Sequence, residues 1–131
     1  MSTVQRYNSG LPWEEAVGYS RAVAAGPHCY VSGSTSIIDG VVHHEGDPYK
    51  QAITAFTVAL EALAHLGFAR ADVVRTRMYV LHTRDMDDIG RAHKEFFDTV
   101  RPAATMLGVA RLIDPRMLVE VEVDAYREGP R

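Results

Sequence analysis

The sequence predicts a single α+β domain: a mostly antiparallel mixed sheet with two helices on one face, in the order β-β-α-β-α-β-β. Three observations lead there. Short β-prone runs at 20–32, 73–80 and 104–126 are rich in valine and alternate in character, while apolar residues recur at helical spacing near 48–66 and 85–100. A length of 131 residues suits one core and is too short for two ordinary ones. The domain therefore spans 1–131, with its core at about 18–126.

The elements follow in order. Ser20 to Ala25 and His28 to Ser32 flank Gly26-Pro27 and predict a hairpin. Gly33 ends it, and 33–47 reads as irregular or as a weak strand with a turn at Asp39-Gly40. Asp47-Pro48 starts a helix, since aspartate caps free amides and proline is tolerated in the first turn. Ile53, Phe56, Leu60 and Leu63 repeat along it, Ala52, Ala55, Ala59 and Ala62 allow close approach to a sheet, and Gly67 fits the position just past its end. Val73 to Val80 is a strand with Val74, Thr76, Met78 and Val80 on one face and Arg75, Arg77 and Tyr79 on the other. A second helix begins near Asp85, turns Ile89, His93, Phe96 and Val100 inward, and stops at Arg101-Pro102. Strands at about 104–110 and 118–126 enclose a turn at Asp114-Pro115.

Composition excludes several classes. Apolar residues are 47% of the chain and charged ones 24%, as in an ordinary globular domain. The net charge of -3, with no basic run, argues against nucleic acid as a partner. No apolar run approaches the roughly 18 residues of a membrane helix, and residues 1–10 are polar, so a cytoplasmic protein is expected. Cys29, the single cysteine, lies in a strand pattern and reads as a buried structural thiol. His43 and His44 are adjacent and would point to opposite faces of a strand, and no other histidine has ligand spacing, so no metal is expected. His93 reads as a core histidine. Without a glycine-rich phosphate loop or a Gly-x-Ser-x-Gly elbow, neither a nucleotide cofactor nor serine hydrolase chemistry is expected, and the cofactor expectation is none. Two helices cover only one face of the sheet, so the other face calls for a partner. That face includes polar Arg77, Tyr79, Glu120 and Glu122.

Several motifs occur together. Arg101-Pro102-Ala103-Ala104-Thr105-Met106 precedes Leu118-Val119-Glu120-Val121-Glu122-Val123-Asp124; Gly18-Tyr19-Ser20, Val31-Ser32-Gly33, Asp72 to Val80 and Phe96-Phe97 come before them in order. This set resembles the RidA/YjgF reactive-intermediate deaminase family, also called the endoribonuclease L-PSP family, from about Gly18 to Ala125. The resemblance implies a chorismate-mutase-like subunit packed as a homotrimer, with a cleft for a small anionic or imine- or carbonyl-containing metabolite at each subunit interface. It also implies that Glu120 stands beside the reacting water as the catalytic residue. Ala104 stands where the family's deaminases carry the arginine that holds the substrate carboxylate, which points to a divergent branch. A charge-assisted hydrogen bond contributes roughly 1.5–3 kcal/mol, so binding of the usual substrate should weaken about ten- to a hundredfold.

Each candidate has a plainer alternative. Glu120 and Glu122 alternate with Val119, Val121 and Val123, as the solvent face of any amphipathic strand would; the motif singles out Glu120 alone. Arg77 is the candidate replacement for the missing guanidinium, or else an interface ion pair with a glutamate. Tyr19 either caps the cleft with its hydroxyl or is a half-buried edge aromatic. Ser32, Gly33 and Ser34 line the opposite wall, with Gly33 allowing close backbone approach, or simply end a strand. Ala104, Thr105 and Met106 complete the ligand-binding set. The leading expectation is an imine or enamine deaminase with altered substrate. A non-catalytic sensor on the same trimer is the alternative, and a ribonuclease is the weakest, because the chain is acidic and lacks a His/Lys phosphate cluster.

Overall fold

The computed structural model describes residues 3–130; positions 1, 2 and 131 of the expected domain lie outside it. One six-stranded sheet holds β1 (Val4–Tyr7), β2 (Ala22–Ala25), β3 (His28–Ser34), β6 (Val73–Val80), β7 (Ala103–Gly108) and β8 (Val119–Tyr126) in the order β1-β2-β3-β8-β6-β7. All its pairings are antiparallel except β6 with β7. Parallel neighbours need a crossover, and α3 (Met86–Phe97) supplies it. The other long helix is α2 (Pro48–His65), and both lie on one side of the sheet. The expected α+β class therefore holds, and the expected elements occur in the expected order with further ones before and between them.

Local chemistry fixes the ends of α2. The Asp47 carboxylate accepts a hydrogen bond from the Lys50 amide at 2.9 Å, and Pro48 opens the first turn. At the far end Gly67 adopts φ +87°, and the Phe68 amide reaches back to the Leu63 carbonyl at 3.0 Å. An L-residue there would clash with its own carbonyl, hence the glycine.

The core lies between the helices and the sheet. Ala52, Ala55, Ala59 and Ala62 are buried beside Phe56 and Leu63, and their small size lets α2 approach Val119, Val121 and Val123 of β8. Buried Gln51 ties α2 to the chain before β8: its amide donates to the Arg116 carbonyl at 2.9 Å and accepts from the Leu118 amide at 2.8 Å. Cys29 is buried as expected.

Apart from short 3-10 turns at Arg70–Asp72 and Thr83–Asp85, four elements among the described residues lie outside the expected series. Besides β1, these are α1 (Pro12–Val17) and a small hairpin of β4 (Ile37–Ile38) and β5 (Val41–Val42). Asp39 and Gly40 both take positive φ in its turn, the geometry that joins two twisted strands through two residues. Ile37, Val42 and Met117 make a second small core with Leu11, Trp13 and Leu112. The expected faces of β6 need one correction: Val74 is 49% exposed while Val73 is buried. An irregularity in the β6–β8 register between Val73 and Arg75 shifts the alternation there. On α3, Phe97 is fully buried and Phe96 only partly so. No helix among the described residues is long and apolar enough to cross a membrane.

Candidate functional site

Alternation along β8 places Val119, Val121 and Val123 under the helices and turns Glu120, Glu122 and Asp124 to the opposite face. The Glu120 side chain then lies against Gly33 on the neighbouring strand. A Cβ added to Gly33 would sit 1.9 Å from a Glu120 carboxylate oxygen, so any larger residue would force that carboxylate away. The β3–β8 register shifts between Val31 and Ser34, and this irregularity sets Gly33 beside Glu120.

A buried guanidinium organises the other wall. Gly18 ends α1 at φ +90°, Tyr19 follows, and Arg21 enters just before β2 with 3% exposure. One terminal nitrogen of Arg21 donates to the Gly33 carbonyl and, at 3.3 Å, to that of Ser32. The other is 3.4 Å from the Tyr19 hydroxyl. Its Nε lies 3.6 Å from the buried Glu14 carboxylate, too long for a hydrogen bond. Glu14 also accepts from the Ser9 amide at 2.9 Å and from the Ser9 hydroxyl. Burial pushes the Glu14 carboxyl up, but the Ser9 donors and the Arg21 charge outweigh it, and the group stays below its ordinary value.

Glu120 is shifted the other way. Burial raises its carboxyl above the usual range, the Glu122 charge adds to this, and Arg21 offsets part of it. Among the described residues, none donates a hydrogen bond to the Glu120 carboxylate, which leaves its lone pairs available to water or a ligand. It borders a cavity of about 710 Å³ that also meets Tyr19, Arg21, Gly33, Ser34, Trp13 and Met117. That volume is in the range of small-molecule sites.

The expected site residues divide. Tyr19, Gly33, Ser34 and Glu120 meet at the cavity. Ser32 lies at its back, its hydroxyl donating to the Ser20 carbonyl at 2.7 Å. Arg77 does not reach the cavity: on the open face of the sheet it pairs with Asp124 of the same chain at 3.1 Å. Its pairing partner is therefore the aspartate two residues beyond Glu122, and Glu122 takes the Tyr79 hydroxyl instead. Ala104, Thr105 and Met106 sit on β7 at the far edge of the sheet, two ladder steps or roughly 10 Å from the strand of Glu120. There Ala104 is exposed, Thr105 accepts from Arg75 at 2.8 Å, and Met106 packs on the core. Sequence reasoning missed Arg21, Glu14 and Trp13. The one signal available was a charged residue opening an otherwise apolar strand two places after Tyr19.

Fold and site together define an α+β domain with a carboxylate-bearing cavity beside the bulged β3. The chain belongs to the endoribonuclease L-PSP family, the YjgF/RidA family, which it matches over residues 12–127. Among solved structures it is similar to Rv2704 of Mycobacterium tuberculosis, a member of the YjgF/YER057c/UK114 family. The two are 40% identical, with a TM-score of 0.86 over 95% of this chain and 99% of that one. An uncharacterised protein of Streptomyces coelicolor is 52% identical over 124 residues, covering 95% of this chain and 92% of that protein. A 2-iminobutanoate/2-iminopropanoate deaminase of Dermatophagoides farinae is 31% identical over 101 residues, 72% of this chain and 74% of that protein.

Proposed function

We propose that the protein hydrolyses small imines, or enamines that tautomerise to them, at the Glu120 cavity, with a neighbouring copy in a homotrimer closing the cleft. The observation that carries this reading is the state of Glu120: half-buried, free of hydrogen-bond donors from the described residues, and raised in pKa by burial. A carboxylate in that condition is a better base than one in water. It takes a proton from a water molecule as the oxygen attacks the imine carbon. The C=N electron pair moves to nitrogen, which is protonated. The resulting carbinolamine loses ammonia as its C–N bond breaks, and a carbonyl compound remains. Overall, imine and water give carbonyl and ammonia. The name of the Dermatophagoides relative supports this class of reaction.

The homotrimer draws support from the sheet. Its helix-free face carries Arg75, Arg77, Tyr79, Glu122 and Asp124 half-buried, and only a second chain can bring a β7 edge near Glu120. A second reading, ligand binding without turnover, is favoured by Ala104, which offers no guanidinium to a substrate carboxylate. The test generates 2-imino acids with an amino-acid oxidase and uncharged imines with an amine oxidase, then follows carbonyl release. Wild type is expected to accelerate release and Glu120→Gln to lose roughly a hundredfold, the usual contribution of a general base. Acceleration by Ala104→Arg alone assigns the native protein to the binding reading. If neither protein accelerates release of either class, the site is not an imine hydrolase.

A further inference from the structure

The charges around the cavity specify its ligand more narrowly than the reaction class does. Among the described residues lining it, Arg21 is the one cation, against three carboxylates, Asp39, Glu61 and Glu120. Arg21 is not available to a ligand. It is 3% exposed, and its nitrogens face the Gly33 and Ser32 carbonyls, the Tyr19 hydroxyl and Glu14. Its charge faces the Glu14 carboxylate and also acts on Glu120. The remaining wall is largely apolar: Leu11, Trp13, Ile37, Ile113 and Met117 border the same space. Ala104, Thr105 and Met106 would add no charge if a second copy closed the cleft.

We infer that the cavity selects a ligand with an apolar body and a neutral or cationic head, an imine or iminium without a carboxylate, and discriminates against anions. This rests on the proposed use of the Glu120 cavity and deepens it. The physical reason is plain. A carboxylate placed beside Glu120 meets a like charge in a partly desolvated space, and among the described residues lining the cavity no free guanidinium or ammonium offsets the repulsion. A protonated imine meets an opposite charge there, and its body replaces water against Trp13 and Ile113. Arg21 acts as a positioning residue in this arrangement: it holds the Gly33 carbonyl and Tyr19 hydroxyl, and its charge opposes the upward push of burial on Glu120.

Trp13 is the chain's single tryptophan and borders the cavity, so its fluorescence reports occupancy. The experiment titrates the full chain at pH 7.5 with three probes of one shape, 2-phenylethylammonium, phenylacetamide and phenylacetate. The cation and the amide are expected to bind at least about tenfold more tightly than the anion. Glu120→Gln is expected to remove the cation's advantage over the amide. Phenylacetate binding as tightly as the others, or no response to any probe at millimolar concentration, overturns the inference. Persistence of the cation's advantage in Glu120→Gln does so as well. Turnover is not read here, so a protein with the expected binding order but no imine hydrolysis sinks the catalytic proposal and leaves this one, while an active protein that favours phenylacetate does the reverse.

Discussion

Glu120 and Gly33 act as one unit. Because a Cβ on Gly33 would overlap the end of a flexible side chain, and Gly33 has no positive φ, Gly33→Ala is expected to leave the fold intact and turn the carboxylate out of place. Imine hydrolysis should fall roughly a hundredfold while the unfolding midpoint moves little; an unchanged rate would show that Glu120 need not lie over residue 33. Glu120 also carries a stability cost. Its folded pKa is raised, so its favourable contribution is full below the ordinary value of 4.5 and is lost as pH rises through the folded value. At neutral pH the buried charge opposes folding. Glu120→Gln should therefore raise Tm at pH 7, and by less at pH 4. Scanning calorimetry at the two pH values checks it.

At the scale of elements, the layer between α3 and β6 contains a titratable group with no part in the proposed chemistry. The His93 imidazole lies 2.8 Å from the Thr76 hydroxyl and packs between Phe56 and Phe97. Burial lowers its pKa from 6.5. A histidine held neutral in this way contributes fully above its unfolded pKa, and that contribution is lost as pH falls from about 6.5 through the lowered folded value. In that window the slope from this group is at most about 1.4 kcal/mol per pH unit. His93→Gln keeps a polar partner for Thr76 and does not titrate. Its urea midpoint is expected to vary less between pH 7.5 and 5 than that of wild type, and equal slopes would remove His93 as the cause. The same element level was the most legible in the sequence. The capped ends of α2, the alanines of its inner face and the alternation of β8 each follow from a local rule. Val74 was misassigned because a bulge is decided by pairing with β8. The strand β1 lies outside the expected series, and β4 and β5, which flank the expected turn at Asp39-Gly40, read only as an irregular or weak-strand segment, because strands of two to four residues leave too little periodicity to see.

For the whole molecule, the two helices leave one sheet face uncovered, and that face is polar and half-buried within a single chain. Light scattering is expected to return three times the 14.5 kDa chain mass. A stable monomer would leave Ala104, Thr105 and Met106 roughly 10 Å from the strand of Glu120 and end the shared-cleft proposal. The sequence by itself determined the family, the α+β class, both long helices and the place of Glu120 on an alternating strand, because these depend on spacing and end chemistry along a few neighbouring residues. Tertiary structure alone decided which guanidinium lies beside Glu120. Arg77 looked suitable from its strand position, yet Asp124 across the ladder claims it, while Arg21 is brought against Gly33, Glu14 and Glu120 from 12, 7 and 99 positions away. Charge pairing is set by distance in space, and only the folded sheet fixes that distance.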